Sequence, residues 1–223
     1  MTAPDHRASR ACLTWSSAGR AMPGESASGD QGGYVPLDDG AVVTVVDGLG
    51  HGPEAARAAA GALAAVEAAA AAATGVGGLA VDDVVSAAHA RLRRTRGVAM
   101  TIAAIGCDGT MRWVGVGNVE AHLLRADGRR ARRVASAVLY GGVVGYRLPR
   151  VRVSTVELAP GDLVVMATDG IDVRFTDRVV PVDPPDRLVE GILARSARAN
   201  DDALVAAVRY NGPAASATEA SAP

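Results

Sequence analysis

Four short acidic motifs are spread along the chain: SGD ending at Asp30, DGLGHG opening at Asp47, ATDG containing Asp169, and NDDA containing Asp201 and Asp202. AVVTVV leads into Asp47 and DLVVMAT leads into Asp169, so each of these carboxylates is expected at the end of a strand, and ALVAAV follows Asp202 as a strand that the last motif opens. Carboxylates presented from several strand ends suit a pair of hard divalent cations, because Mg²⁺ and Mn²⁺ take oxygen ligands and keep some of their waters. Asp47 is the best candidate for a shared ligand, and Gly48 beside it can offer its carbonyl without a side chain in the way; the alternative is an ordinary Asp-Gly turn.

The glycines of DGLGHG follow a GxGxG spacing. That is neither the GxGxxG dinucleotide fingerprint nor a phosphate loop ending in GK[ST], so nucleotide binding is a weak alternative. His51, four residues past Asp47, could protonate a leaving oxygen, or it could cap the following helix or face water. His89 and His122 have no partner recognisable in sequence and are read as structural, as are Trp15 and Trp113, which suit a core or sheet face.

The elements that must position these residues follow from pattern and punctuation. Strands are expected over 12–17, 33–37, 41–46, 99–107, 111–116, 120–125, 151–158, 163–167 and 203–209, and helices over 53–73, 81–94 and 185–199. Pro53 suits a first helical position, where its missing N–H has no intrahelical partner, and Glu54 complements the helix dipole. CDGT (107–110) and ADGR (126–129) each set Asp-Gly between apolar runs, which predicts hairpins with type I′ turns. Strands, two helices, more strands, one helix and a final strand segregate as an α+β fold of layered antiparallel sheets rather than a βαβ repeat.

With 223 residues the chain suits one domain. Residues 1–10 read as a flexible N-terminus, 11–210 as the compact domain, and 211–223, rich in Ala and Ser, as a disordered tail. A hydrophobic content of 49% argues for a packed globule, and a net charge of −1 gives the whole molecule no electrostatic signature for nucleic acid or an anionic membrane. Arginines cluster at 91–96 and 125–133; these read as a helix C-terminus and a solvated hairpin, or else as a docking patch for an acidic or phosphorylated partner. The alanine-rich stretch 58–73 carries Glu67 and reads as a soluble helix. Cys12 and Cys107 form no CxxC pair and lie far apart in sequence, so neither a structural zinc nor a disulfide is expected, and a reducing cytoplasm fits.

The ordered set SGD, DGLGHG, VGVGNVEAHLL, GGVVGY, LAPGDLVVMATDGI and DDALVAAVRY resembles the PPM (protein phosphatase 2C-like) metal-dependent serine/threonine phosphatases, in particular the SpoIIE branch and its compact RsbX-like members of partner-switching and stressosome pathways. The resemblance runs from about Arg20 to Tyr210 and implies a four-layer αββα sandwich of two antiparallel sheets flanked by helices. It implies a centre of two Mn²⁺ or Mg²⁺ ions in which Asp47 bridges, the Gly48 carbonyl binds the first ion, Asp169 and Asp201 hold the second, and Asp30 acts beside the first, directly or through water. A water shared by two such ions loses a proton near neutral pH and attacks phosphorus in line, without a phosphoenzyme.

Where many relatives carry a further aspartate this chain has Asn118, which puts a third ion in doubt, and Arg20 is the candidate phosphate contact against a plain surface arginine. No insertion stands between the third acidic motif and the last helix, so the site should be shallow enough to admit a folded protein surface. The resemblance implies a cytoplasmic phosphatase acting on phosphoserine or phosphothreonine of a STAS-domain anti-sigma antagonist or stressosome subunit. A non-catalytic binding module on the same fold and a small-molecule phosphatase are the alternatives, and the oligomeric state is left open.

Overall fold

The computed structural model describes residues 12–127 and 130–213. Along the chain run β1 (Leu13–Arg20), β2 (Asp30–Leu37), β3 (Gly40–Gly48), α1 (Pro53–Ala72), α2 (Val81–Leu92), β4 (Val98–Gly106), β5 (Thr110–Val116) and β6 (Glu120–Asp127). There follow β7 (Arg130–Ser136), β8 (Leu139–Tyr140), β9 (Ser154–Glu157), β10 (Leu163–Ala167), a 3₁₀ turn (Phe175–Arg178), α3 (Pro185–Ser196) and β11 (Ala203–Tyr210). One sheet has the order β1-β11-β10-β6-β7 and the other β2-β3-β4-β5-β8, with β9 also paired to β5. Every pairing is antiparallel except the short β5–β8 contact, which is parallel.

Strand alternation builds the layers. Along β3, Ala41, Val43 and Val45 face the other sheet while Val42 and Val46 face the helices α1 and α2; along β11, Leu204, Ala206 and Val208 face the space between the sheets and Val205 and Ala207 meet α3. Three apolar clusters therefore fill three spaces, which gives the αββα sandwich. The buried stripe of α1 is mostly alanine (Ala55, Ala58, Ala59, Ala62, Ala65, Ala70), so the helix sits close upon β2 and β3. By length and composition α1 is the one helix among the described residues that could cross a membrane, yet here that stripe is core.

Several expectations need adjustment. Cys12 and Cys107 are joined in a disulfide, with Cα atoms 5.4 Å apart. Ninety-five residues of separation hide that the start of β1 and the β4–β5 turn lie at the same end of the two sheets, where Tyr210 donates to the Cys107 carbonyl and the Asn211 N–H to that of Cys12. With these cysteines paired, they no longer point to a reducing compartment.

The CDGT hairpin forms, but with positive φ only at Gly109 (91°) and a Gly109 N–H bond to the Gly106 carbonyl, so the turn is not type I′. The Asp108 carboxylate accepts from the Thr110 N–H, a local bond within the turn, and Asp108 keeps a negative φ. Of the ADGR turn, Gly128 and Arg129 lie outside the described residues, as do the flexible terminus expected over 1–10 and the tail from 214. The arginine-rich segment after that turn is the strand β7, and β8 was also not foreseen.

Candidate metal centre

β3 runs toward the same end of the sandwich from which β2 departs, and β10 and β11 repeat this relation in the other sheet. Asp30 opens β2 directly opposite Asp47 near the end of β3, Asp169 follows β10 by two residues, and Asp201 and Asp202 precede β11. The two sheets are laced together here. The buried Thr168 hydroxyl, from the β10 side, donates to Asp30 Oδ2 at 2.6 Å, and the N–H groups of Gly29 and Met22 donate to the two oxygens of Asp202, each at 2.7 Å.

Two glycines allow the closeness. A Cβ on Gly48 would stand 2.3 Å from the Ala55 carbonyl oxygen, and one on Gly170 would stand 1.8 Å from the Asp202 carbonyl oxygen. The first lets α1 begin against the Asp47 turn, and the second lets the Asp169 turn lie against Asp202.

Asp30, Asp47, Asp169 and Asp201 are thus brought together, with Gly48 adjoining Asp47 in β3. Burial, with added repulsion from Asp47, Asp202 and Asp169, raises the Asp30 carboxyl to about 8 against the opposing Thr168 hydrogen bond. Burial likewise raises Asp47 to about 7, and Asp169, Asp201 and Asp202 add to it. Asp201 is shifted upward, first by burial and then by Asp169. A set of all-oxygen donors, partly withdrawn from water and repelling one another, fits hard divalent cations.

The set is not closed: among the described residues no three Asp, Glu, His or Cys side chains form a ready metal-holding group. Asp202 is spent on two backbone N–H groups, Asp30 accepts from Thr168, and Asp169 Oδ2 accepts from the Asn118 side-chain amide at 2.7 Å. Of the grouped carboxylates, Asp47 and Asp201 accept no bond from another side chain among the described residues, and Asp30 pairs across the sheet with Asp47.

Arg20 and His51 stand at the edge of this end and are turned to other partners. Arg20 donates through Nη2 to the Arg198 carbonyl at 2.6 Å. His51 pairs through Nδ1 with Glu25, tying the DGLGHG loop to the segment that leads into Asp30, and no side chain caps α1. His122, lowered chiefly by burial, bonds Glu120 and Ser136, and His89 accepts from the Gly145 N–H. Trp113 is core and Trp15 stacks on Tyr34.

Of the arginine clusters, Arg125 makes a two-pronged bond to buried Asp162, at 2.7 and 2.6 Å, and Arg96 pairs with Glu54 at 2.6 Å. Sequence reasoning missed Thr168, the separate duty of Asp202 and the position of Arg198. The doubled aspartate of NDDA was the available signal for the second, since neighbouring residues entering a strand point to opposite sides.

Layer order and carboxylate placement define the PPM or protein phosphatase 2C-like class of fold. Residues 38–212 match the family described as Stage II sporulation protein E (SpoIIE), and the chain belongs to that family. It is similar to a structure described with the bacterial stressosome as a modular system adapted to control secondary-messenger signalling (27% identity, TM-score 0.74, covering 88% of this chain and 99% of that one). It is also similar to RsbX in complex with magnesium (18%, 0.73, covering 89% and 96%) and to the PP2C phosphatase domain of SpoIIE from Bacillus subtilis (19%, 0.65, covering 91% and 64%). No curated protein matches the sequence.

Proposed function

We propose that this chain is a metal-dependent protein phosphatase that hydrolyses phosphoserine or phosphothreonine on a regulatory partner, a STAS-domain protein of a partner-switching or stressosome system. The observation that carries the reading is the meeting of Asp30, Asp47, Asp169 and Asp201 at one end of a phosphatase-type sandwich. Asp47, Asp169, Asp201 and the Gly48 carbonyl would hold two Mg²⁺ or Mn²⁺ ions. When bound, such ions supply neutralisation of phosphoryl charge and a water acidic enough to act near pH 7.

The chain's own residues do the positioning. Asp202 fixes the turn that carries Asp30 through the Gly29 N–H, Thr168 orients the Asp30 carboxyl, and Asn118 orients that of Asp169. Fixed oxygens spare the reaction the cost of arranging them, and such preorganisation accounts for much of the acceleration in phosphoryl transfer. Membership of a phosphatase-domain family supports the reaction class, and likeness to a stressosome-associated chain supports the partner class. The test is Mn²⁺-dependent release of phosphate from a phosphorylated STAS-domain protein, with Asp47→Asn as the control. Turnover that survives in that variant, or no turnover by wild type with any divalent ion, would sink the proposal.

A further inference from the structure

Beside the carboxylates the surface falls into a recess whose walls include Asn118, Asp169, Val173, Phe175 and Arg198. A second recess, walled by Arg174, Phe175, Arg195 and Arg198, continues from it across the two residues they share. Among the described residues, Arg198 is the arginine that walls both recesses. Its charge reaches both Asp201 and Asp172.

The backbone beneath that side chain is held firmly. The Arg198 N–H donates to the Gly170 carbonyl at 2.7 Å, Asp172 N–H to that of Ser196 at 2.8 Å, and Ile171 bridges Ala197. The Arg198 carbonyl in turn receives the Arg20 guanidinium. The segment after α3 is thus zipped to the turn that carries Asp169, while the Arg198 side chain is exposed and has no hydrogen bond or ion pair among the described residues.

We propose that Arg198, and not Arg20, receives the phosphoryl oxygens of the phosphorylated partner, and that Arg20 is a positioning residue that holds the Arg198 segment in place. This rests on the phosphatase reading above and names the group that would complete its substrate site. A planar guanidinium offers paired N–H donors that match two oxygens of a phosphoryl group. Arg20 has given a donor to a carbonyl and lines neither recess. Arg57, Arg94 and Arg96 wall a separate recess with Glu54 that contains none of the four aspartates, and Arg174 already pairs with Asp172.

The experiment uses the whole chain and inorganic phosphate as probe. Mg²⁺ binding and phosphate binding, with and without Mg²⁺, are measured by calorimetry on wild type, R198A, R198K, R20A and R174A. R198A should bind Mg²⁺ as wild type does but weaken phosphate binding about tenfold or more, the loss of a charge-assisted pair of bonds. R198K should fall between, R20A should lose less than R198A, and R174A should lose nothing. With p-nitrophenyl phosphate, R198A should raise KM and the inhibition constant of phosphate together while kcat changes less. Wild-type phosphate affinity in R198A, a larger loss in R20A than in R198A, or no phosphate binding by wild type would each overturn the assignment. Failure of wild type to bind Mg²⁺ would count instead against the hydrolase reading, since phosphate binding is scored separately.

Discussion

Replacing Asp30 with asparagine should make the metal-free protein more stable, although it removes a residue placed beside the proposed ions. Asp30 is 6% exposed and faces other carboxylates, and it titrates at about 8 in the fold against an ordinary value of 3.8. Because its affinity for protons is higher in the folded state, the folded protein binds more protons than the unfolded chain between these two values, and stability from this group falls as pH rises through that interval. At 1.36 kcal/mol per tenfold change in proton affinity the full cost at pH 8 is roughly 5 kcal/mol, and relaxation and water penetration reduce it to about 2–4 kcal/mol. Asparagine removes the charge and still offers Thr168 an oxygen to donate to. Urea denaturation with a chelator present should therefore find Asp30→Asn more stable than wild type by about 2–4 kcal/mol at pH 8, with the gap closing toward pH 4. An equal difference at both pH values, or a variant less stable at pH 8, would refute the picture of a strained, cation-seeking carboxylate.

Asp202→Ala should cost about 1.5–3 kcal/mol, because it leaves the Met22 and buried Gly29 N–H groups without their charged acceptor, and the same denaturation assay reads it. Gly170→Ala would set a Cβ 1.8 Å from the Asp202 carbonyl oxygen, so the Asp169 turn must move; a loss of about 3 kcal/mol or more is expected, and a loss below 1 kcal/mol would show that the turn is not held there. Cys107→Ser should lower stability by about 2–4 kcal/mol, and a reductant should do the same to wild type while leaving the variant unchanged.

Much of the sandwich was legible in the sequence because its strands alternate or run apolar and its turns carry Gly, Asp or Pro. β10 was bounded correctly, 163–167, since five buried apolar residues end at polar Thr168. β2 was expected only from 33, because SGDQG offers glycine and charge where a strand usually shows branched side chains, whereas Asp30 pairs with Asp47 in the sheet. β7 escaped because an edge strand needs no buried face and its arginines look like a solvated turn. The helices end earlier than expected, α2 at Leu92, beyond which Arg93 and Arg94 bury nothing, and α3 at Ser196, beyond which Ala197 turns extended to bridge Ile171.

For the centre, the four aspartates could be named from their strand-end motifs, and the family resemblance supplied their grouping. The disulfide was missed because sequence distance says nothing of which strand ends meet. Nor can a sequence tell which of two adjacent aspartates braces the turn; the bonds from Met22 and Gly29 assign the brace to Asp202 and leave Asp201 half-exposed beside Asp169.

The most direct test of the central claim is a calorimetric titration of the metal-free protein with Mn²⁺ at pH 7.5. Two ions should bind to wild type, with protons released as Asp30 and Asp47 give up theirs, and Asp47→Asn should lose at least one ion and most of that release. Wild type that takes up no Mn²⁺, or an Asp47→Asn variant that binds it as wild type does, would contradict the account.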